Sequence, residues 1–361
     1  MARIDNLDVS IIRKMFDLSA TMKDPINLSI GIPHFDVPKE VKTAAKDAID
    51  SGQNKYTMSQ GLVQLRERIA KKFGTQGITT TAENIIVTAG VAGAVDLFFR
   101  VTVGPGDDVL VPDPSYGLYK ELIKFTDARC VPIDTYPDFQ LTAARIQQAI
   151  TPNTKVLVIN TPNNPTGQVY PKEELQKIAA VAQKHNILIL SDEIYEAYVY
   201  EGEHCSIGQF YENTITMSGI SKCCGATGWR LGYATGPSQI IQNMAKLQQY
   251  TYVCAPSHVQ HAAITALDAD ITDIVAQYDA NRKLILETLP VDVPPQGALF
   301  ACLKTPGSAT AFSETLREHK VLTVPGPAFS EHDTHLRITF SVAPETLKKG
   351  LAIIKGYYDS P

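Results

Sequence analysis

Two runs in this chain, Lys-Val-Leu-Val-Ile-Asn at 155–160 and Asn-Ile-Leu-Ile-Leu-Ser-Asp at 186–192, are apolar without the polar alternation of a half-solvated strand. Such strands are buried on both faces, the situation of a mostly parallel sheet with helices on each side. Four further β-branched runs, at 84–90, 107–112, 214–219 and 230–236, are spaced by helical patterns, so the stretch reads as βαβ units. One intervening helix is explicit: Leu175, Ile178, Ala179 and Val181 fall on one face, and Pro171 with Glu173 and Glu174 marks its start. The fold class is therefore α/β, a mostly parallel sheet sandwiched by helices.

At 361 residues the chain is long enough for two unequal domains. Its last part alternates strand-like 296–303, a helix near 311–319, 321–325, strand-like 336–342 and a closing helix, a smaller α+β unit. The first 45 residues, with the proline-rich 31–38, read as an arm or strand joining that unit. The expected division is 1–45 for the arm and part of the small domain, 46–285 for the large domain and 286–361 for the small one.

A net charge of −5 argues against a binder of phosphate backbones. The six cysteines lack paired spacing, and only Cys223 and Cys224 are adjacent, so reduced thiols in the cytoplasm are expected. His332 and His335 read as a polar turn, not a zinc site. The N-terminal stretch carries aspartates where a signal peptide is apolar, and no run reaches membrane-spanning length.

In an open parallel sheet, ligands sit beyond the carboxyl ends of the strands, where helix N-termini point at them. Thr-Ala-Gly-Val-Ala-Gly at 88–93 ends a strand and opens a helix; there Gly90 makes the turn and the amides of Val91 and Ala92 could cradle a phosphate. The loop 160–167 presents Asn164, and the run 191–195 presents Asp192 and Tyr195. Lys222 and Arg230 stand eight residues apart around a glycine-punctuated turn. Singly, each has a plain structural reading: a turn, a capping carboxylate, a solvated lysine. Together they supply an amine for an aldehyde, a phosphate cradle, an acid for a ring nitrogen and a donor for a ring oxygen, the needs of pyridoxal phosphate.

The motifs Asn-Asn-Pro-Thr-Gly, Asp-Glu-Ile-Tyr, Ser-Lys with Thr-Gly-Trp-Arg-Leu-Gly-Tyr, and Leu-Arg-Ile-Thr-Phe occur in this order. The chain thereby resembles the class I and II aminotransferases, in the aspartate-aminotransferase-like branch of fold type I pyridoxal-phosphate enzymes. That resemblance implies that Lys222 bonds the cofactor aldehyde, Asp192 pairs with its ring nitrogen, and Asn164 and Tyr195 hold its ring oxygen. It places Arg230, Gly90, Val91, Ala92 and Ser221 around the phosphate, leaving open whether Ser218 or Ser221 makes the contact. Tyr116 is the stacking aromatic, and Gly31, Asn164 and Arg337 receive the substrate. Tyr56 is the tyrosine reaching the phosphate across a subunit boundary, which implies a homodimer with composite sites. The expected function is transfer of an amino group from an L-amino acid, aspartate-like or of broad specificity, to a 2-oxo acid. A carbon–sulfur β-lyase of the same fold, or a non-catalytic regulator, is the alternative. Arg100 is a candidate for a distal carboxylate, and His34 stands at the entrance.

Overall fold

The computed structural model describes residues 3–358, so the outermost residues of both end segments lie outside it. The strands are β1 (Ile26–Asn27), β2 (Ile85–Thr88), β3 (Asp108–Asp113), β4 (Arg129–Asp134), β5 (Thr154–Asn160), β6 (Leu188–Asp192), β7 (Thr214–Gly219), β8 (Gly232–Thr235), β9 (Phe300–Lys304), β10 (Val321–Leu322), β11 (Val324–Pro325) and β12 (His335–Thr339). Seven form the central sheet in the order β2-β8-β7-β6-β5-β3-β4. Only β8 runs against its neighbours.

The two continuously apolar runs are β5 and β6, paired in parallel in the middle of the sheet. Helix Gly90–Thr102 packs Ala94, Val95 and Phe98 into the core on one face. On the other face helix Lys172–His185 buries Leu175, Ile178, Ala179 and Ala182. Ala182 takes the place expected of Val181, which stays only partly buried. Each fully buried Leu, Ile, Val or Phe side chain among these stabilises the fold by about 1.5–3 kcal/mol.

Strand β4 escapes a sequence reading because Arg-Cys-Val-Pro-Ile-Asp lacks an apolar run. It lies at the sheet edge, where exposed positions and Pro132 are tolerated. His335 corrects another expectation, being buried within β12 instead of lying in a polar turn; His332 alone remains in the loop.

The second sheet, β11-β12-β9, is antiparallel, and β1 pairs with β10 beside it. Leu28, Leu303, Leu316, Val321, Leu336 and Leu351 share one core, which ties the N-terminal segment to the C-terminal one. Helix Thr272–Thr288 spans the boundary expected at 285 and gives Tyr278 and Ile285 to that core. Among the described residues, no helix is long and apolar enough to cross a membrane.

Candidate active site

At their carboxyl ends β5 and β6 bring Asn160 beside Asp192, and β6 and β7 bring Asp192 beside Met217. A cavity of about 260 Å³ opens above this edge, lined by residues that include Lys222, Asp192, Asn164, Tyr195, Arg230 and Arg337. Gly31, Val91, Ala92, Tyr116 and Ser221 also face it. Residues far apart in sequence thus converge on one small volume.

Asp192 is buried; Tyr119 donates its hydroxyl to Oδ2 at 2.8 Å, and the Ile194 N–H donates to Oδ1 at 3.2 Å. Burial pushes the carboxyl up from 3.8 to about 6, and those two hydrogen bonds restrain the rise. Tyr119 was missed in the sequence, although it follows Tyr116 by three residues in Ser-Tyr-Gly-Leu-Tyr. The turn between them, closed by the Tyr119 N–H on the Tyr116 carbonyl at 3.2 Å, sets the two rings edge to face with centroids 6.0 Å apart. A second missed residue, Asn160, donates to the Asp192 carbonyl at 2.9 Å and accepts from the Asn164 N–H at 2.8 Å, fixing the 160–167 loop to β6.

The raised Asp192 carboxyl has a consequence for the apoprotein. The unfolded chain ionises it near 3.8 and the folded chain near 6, so at neutral pH its burial opposes folding by about 3 kcal/mol. The cost vanishes at low pH, where the group is protonated in both states. Apo Asp192→Asn is therefore expected to be more stable than wild type by up to about 3 kcal/mol at pH 7, with the difference fading towards pH 4. Denaturant titrations at both pH values check it; equal stability at pH 7 would sink the argument.

Lys222 sits in the short helix Ile220–Cys223, directly after β7. Its Nζ donates to the Gly31 carbonyl at 2.8 Å and lies 5.7 Å from the centre of the Tyr195 ring. Burial lowers its amine from 10.5 to about 8, and the guanidiniums of Arg337 and Arg230 push the same way. This is not a solvated cap. Of the two serines, Ser221 faces the cavity, while Ser218 donates to Glu196 at 3.0 Å away from it. Gly219 has a packing reason: a Cβ there would come within 2.8 Å of the Leu231 carbonyl.

Helix Gly90–Thr102 aims its N-terminus at the cavity, and no side chain caps it. Its first amides therefore await an acceptor. Gly90 has φ +74, and a Cβ there would meet Arg230 Nη2 at 2.5 Å, so the guanidinium lies directly on the turn. Gly232 allows β8 the same approach, since a Cβ would stand 2.5 Å from Val91 N. Arg230 itself is left-handed, with φ 55, and donates to Thr227 O at 3.0 Å. A non-glycine residue held in that region marks local strain, common at ligand clamps.

Arg337, on β12, is buried, donating from Nη1 to Asn164 Oδ1 at 2.9 Å and from Nη2 to Ser29 O at 2.5 Å. Its guanidinium carbon lies 4.3 Å from the Phe300 ring centre and 4.6 Å from that of Phe329. Burial lowers it from 12.5 to about 10, and Nε is left without a partner. A buried cation facing no carboxylate is costly by itself and becomes favourable when an anion arrives.

Three sequence candidates lie elsewhere. Arg100 pairs with Asp96 at 2.8 Å and covers the Phe125 ring, on the far end of its helix. His34 hydrogen-bonds Tyr278 outside the cavity wall, and Tyr56 is 83% exposed. A cluster of Glu193, which is buried, with the partly buried Glu196 and His204 also gathers after β6. Its oxygens already accept from Ser191, Ser206, Ser218, Lys72 and His204, so it acts as a strut.

A mostly parallel sheet with a smaller α+β layer at its carboxyl edge, and a buried amine and guanidinium lining one cavity there, defines an enzyme of amino-group chemistry. Residues 23–354 match the family described as aminotransferase class I and II. The probable aspartate aminotransferase of Methanocaldococcus jannaschii is 35% identical, covering 99% of this chain and 99% of that protein. The aromatic-amino-acid aminotransferase 2 of Thermococcus litoralis is 34% identical over 97% of this chain and 95% of its own length. The solved aspartate aminotransferase of Thermus thermophilus with maleate superimposes with a TM-score of 0.94 at 35% identity, covering 98% of each chain. This chain belongs to the aminotransferase class I and II family.

Proposed function

We propose that the chain moves an amino group from an L-amino acid to a 2-oxo acid in two half-reactions, with pyridoxal phosphate held in this cavity. The observation that carries the reading is the buried Arg337, its Nε unpartnered, lining the same cavity as the depressed amine of Lys222. A carboxylate on one and an amino-bearing carbon at the other describe an α-amino acid.

The donor set fits the cofactor. The uncapped amides of Val91 and Ala92, with Gly90, Ser221 and Arg230, hold a phosphate; Asp192 holds a ring N–H; Asn164 and Tyr195 hold a ring oxygen; Tyr116 covers a ring face. Bound there, pyridoxal phosphate supplies a protonated ring that takes up the electron pair left when a proton departs from the substrate's α-carbon. Lys222 would take that proton at Nζ and deliver it to the former aldehyde carbon of the cofactor, a task for which an amine near 8 suits neutral pH better than one at 10.5. Arg337 receives the α-carboxylate with Asn164 and the Gly31 backbone close by. Tyr56, projecting from its own chain, serves the phosphate of a second copy in a homodimer.

In the test, holoenzyme is mixed with an amino acid in the absence of any 2-oxo acid. One oxo acid per site is expected, with turnover resuming only when an acceptor is added. Continuous release of ammonia and oxo acid without acceptor would replace transamination by elimination.

A further inference from the structure

We infer that the substrate's side chain occupies an apolar subsite walled by Ile12, Ile30, Ile32 and Leu118, so that the chain takes amino acids with large apolar or aromatic side chains in preference to dicarboxylic ones. This rests on the aminotransferase reading. With the α-carboxylate on Arg337 and the α-hydrogen towards Lys222, the floor of the cavity is taken by Asp192, Asn164 and Tyr195. The side chain is left facing the opposite wall, which these four residues supply from helix Ile11–Thr21, the segment after β1 and the start of helix Leu118–Phe125.

Charge within one chain points to the class. Among the described residues of this chain that line the cavity, the cations are Lys222, Arg230 and Arg337, each already assigned to the amine, the phosphate or the α-carboxylate. Arg100 pairs with Asp96 away from the wall. A distal carboxylate entering the subsite would lose water and meet hydrocarbon.

Space points the same way. A larger cavity of about 710 Å³ adjoins the first and shares Ile12, Tyr116 and Leu118 with it, so the subsite is open-ended towards bulky groups. That second cavity carries Asp8, Asp113, Glu121 and Glu331 against Lys14 and Lys120. Lys120 lies 3.5 Å from Glu331. Lys124 also bonds both Asp8 and Glu121, so four carboxylates stand against three lysines, and the small net negative charge disfavours an acidic side chain that reaches so far.

The test measures single half-reactions of the holoenzyme with phenylalanine, leucine, aspartate and glutamate. Leaving a carboxylate buried without a cation corresponds to a loss of about 100-fold, so kcat/KM for phenylalanine is expected to exceed that for aspartate by about that factor. Of two unreactive analogues, 3-phenylpropionate is expected to bind at least about tenfold more tightly than succinate, read from the shift in cofactor absorbance. Ile12→Lys is expected to lower the phenylalanine-to-aspartate ratio at least about tenfold by giving the distal carboxylate a partner. Aspartate or glutamate reacting as fast as phenylalanine, or succinate binding as well as 3-phenylpropionate, overturns the inference while leaving transamination intact. An unchanged ratio in a folded Ile12→Lys overturns the assignment of this wall. Failure of all four amino acids to react would instead remove the aminotransferase reading.

Discussion

Lys222→Ala is expected to abolish turnover, lowering the rate of each half-reaction by at least about 10⁴-fold, while the protein stays folded. Among the described residues lining the cavity, the amine alone can both bond an aldehyde and carry a proton to and from the substrate, and its surroundings prepare it for that work. Burial and two guanidiniums bring it from 10.5 to about 8, so near neutral pH a useful fraction is unprotonated. Below about 8 the protonated form dominates, and it cannot attack a carbonyl. Loading of the wild-type apoprotein with pyridoxal phosphate should therefore accelerate as pH rises from 6 and level off above about 8. Stopped-flow absorbance reads this directly. The variant should lose the visible band of the lysine-bound cofactor at every pH; persistence of that band would show that another amine bonds it.

The second large effect is expected at Arg337. Two of its donors are committed to Asn164 Oδ1 and Ser29 O, and these bonds, with Phe300 and Phe329 around the guanidinium, fix its plane. Its Nε is buried and unpartnered, set for an incoming carboxylate. A lysine cannot reproduce a planar fork, so Arg337→Lys should lower kcat/KM for amino acids by about 10²- to 10³-fold, chiefly through KM. Cofactor absorbance should change little, because the guanidinium meets the substrate. The discriminating measurement compares phenylalanine with phenethylamine, which lacks the carboxylate. Wild type should strongly prefer the amino acid, and Arg337→Ala should bring the two together. A preference that survives in Arg337→Ala would mean that the carboxylate binds elsewhere.

Much of the architecture could be read from the chain because it depends on local pattern. The apolar runs that became β5 and β6, the glycine turn into helix Gly90–Thr102 and the Asn-Asn-Pro-Thr-Gly loop are each defined within a few residues. Strand β4 was not legible, since an edge position asks little of its side chains. Arg100 misled for the opposite reason: a cation close in sequence to the phosphate turn lies at the far end of a 13-residue helix, held by Asp96. Tyr119 was visible as a letter but not as a partner, because its bond to Asp192 joins elements 73 residues apart.

What the sequence by itself determined is the kind of chemistry: a lysine, a carboxylate, an amide and an arginine at strand ends and the turns that follow them, where short-range sterics and glycine placement set the backbone, with a second arginine in the Leu-Arg-Ile-Thr-Phe run. What only the tertiary structure decided is how those groups are tuned and what surrounds the substrate. The contact of Lys222 with Gly31 spans 191 residues, and that of Arg337 with Asn164 spans 173. The desolvation that lowers the amine, raises the Asp192 carboxyl and leaves Ile12, Ile32 and Leu118 as an uncharged wall arises when distant elements exclude water together. Burial is a property of the packed chain, and no local stretch of residues contains it.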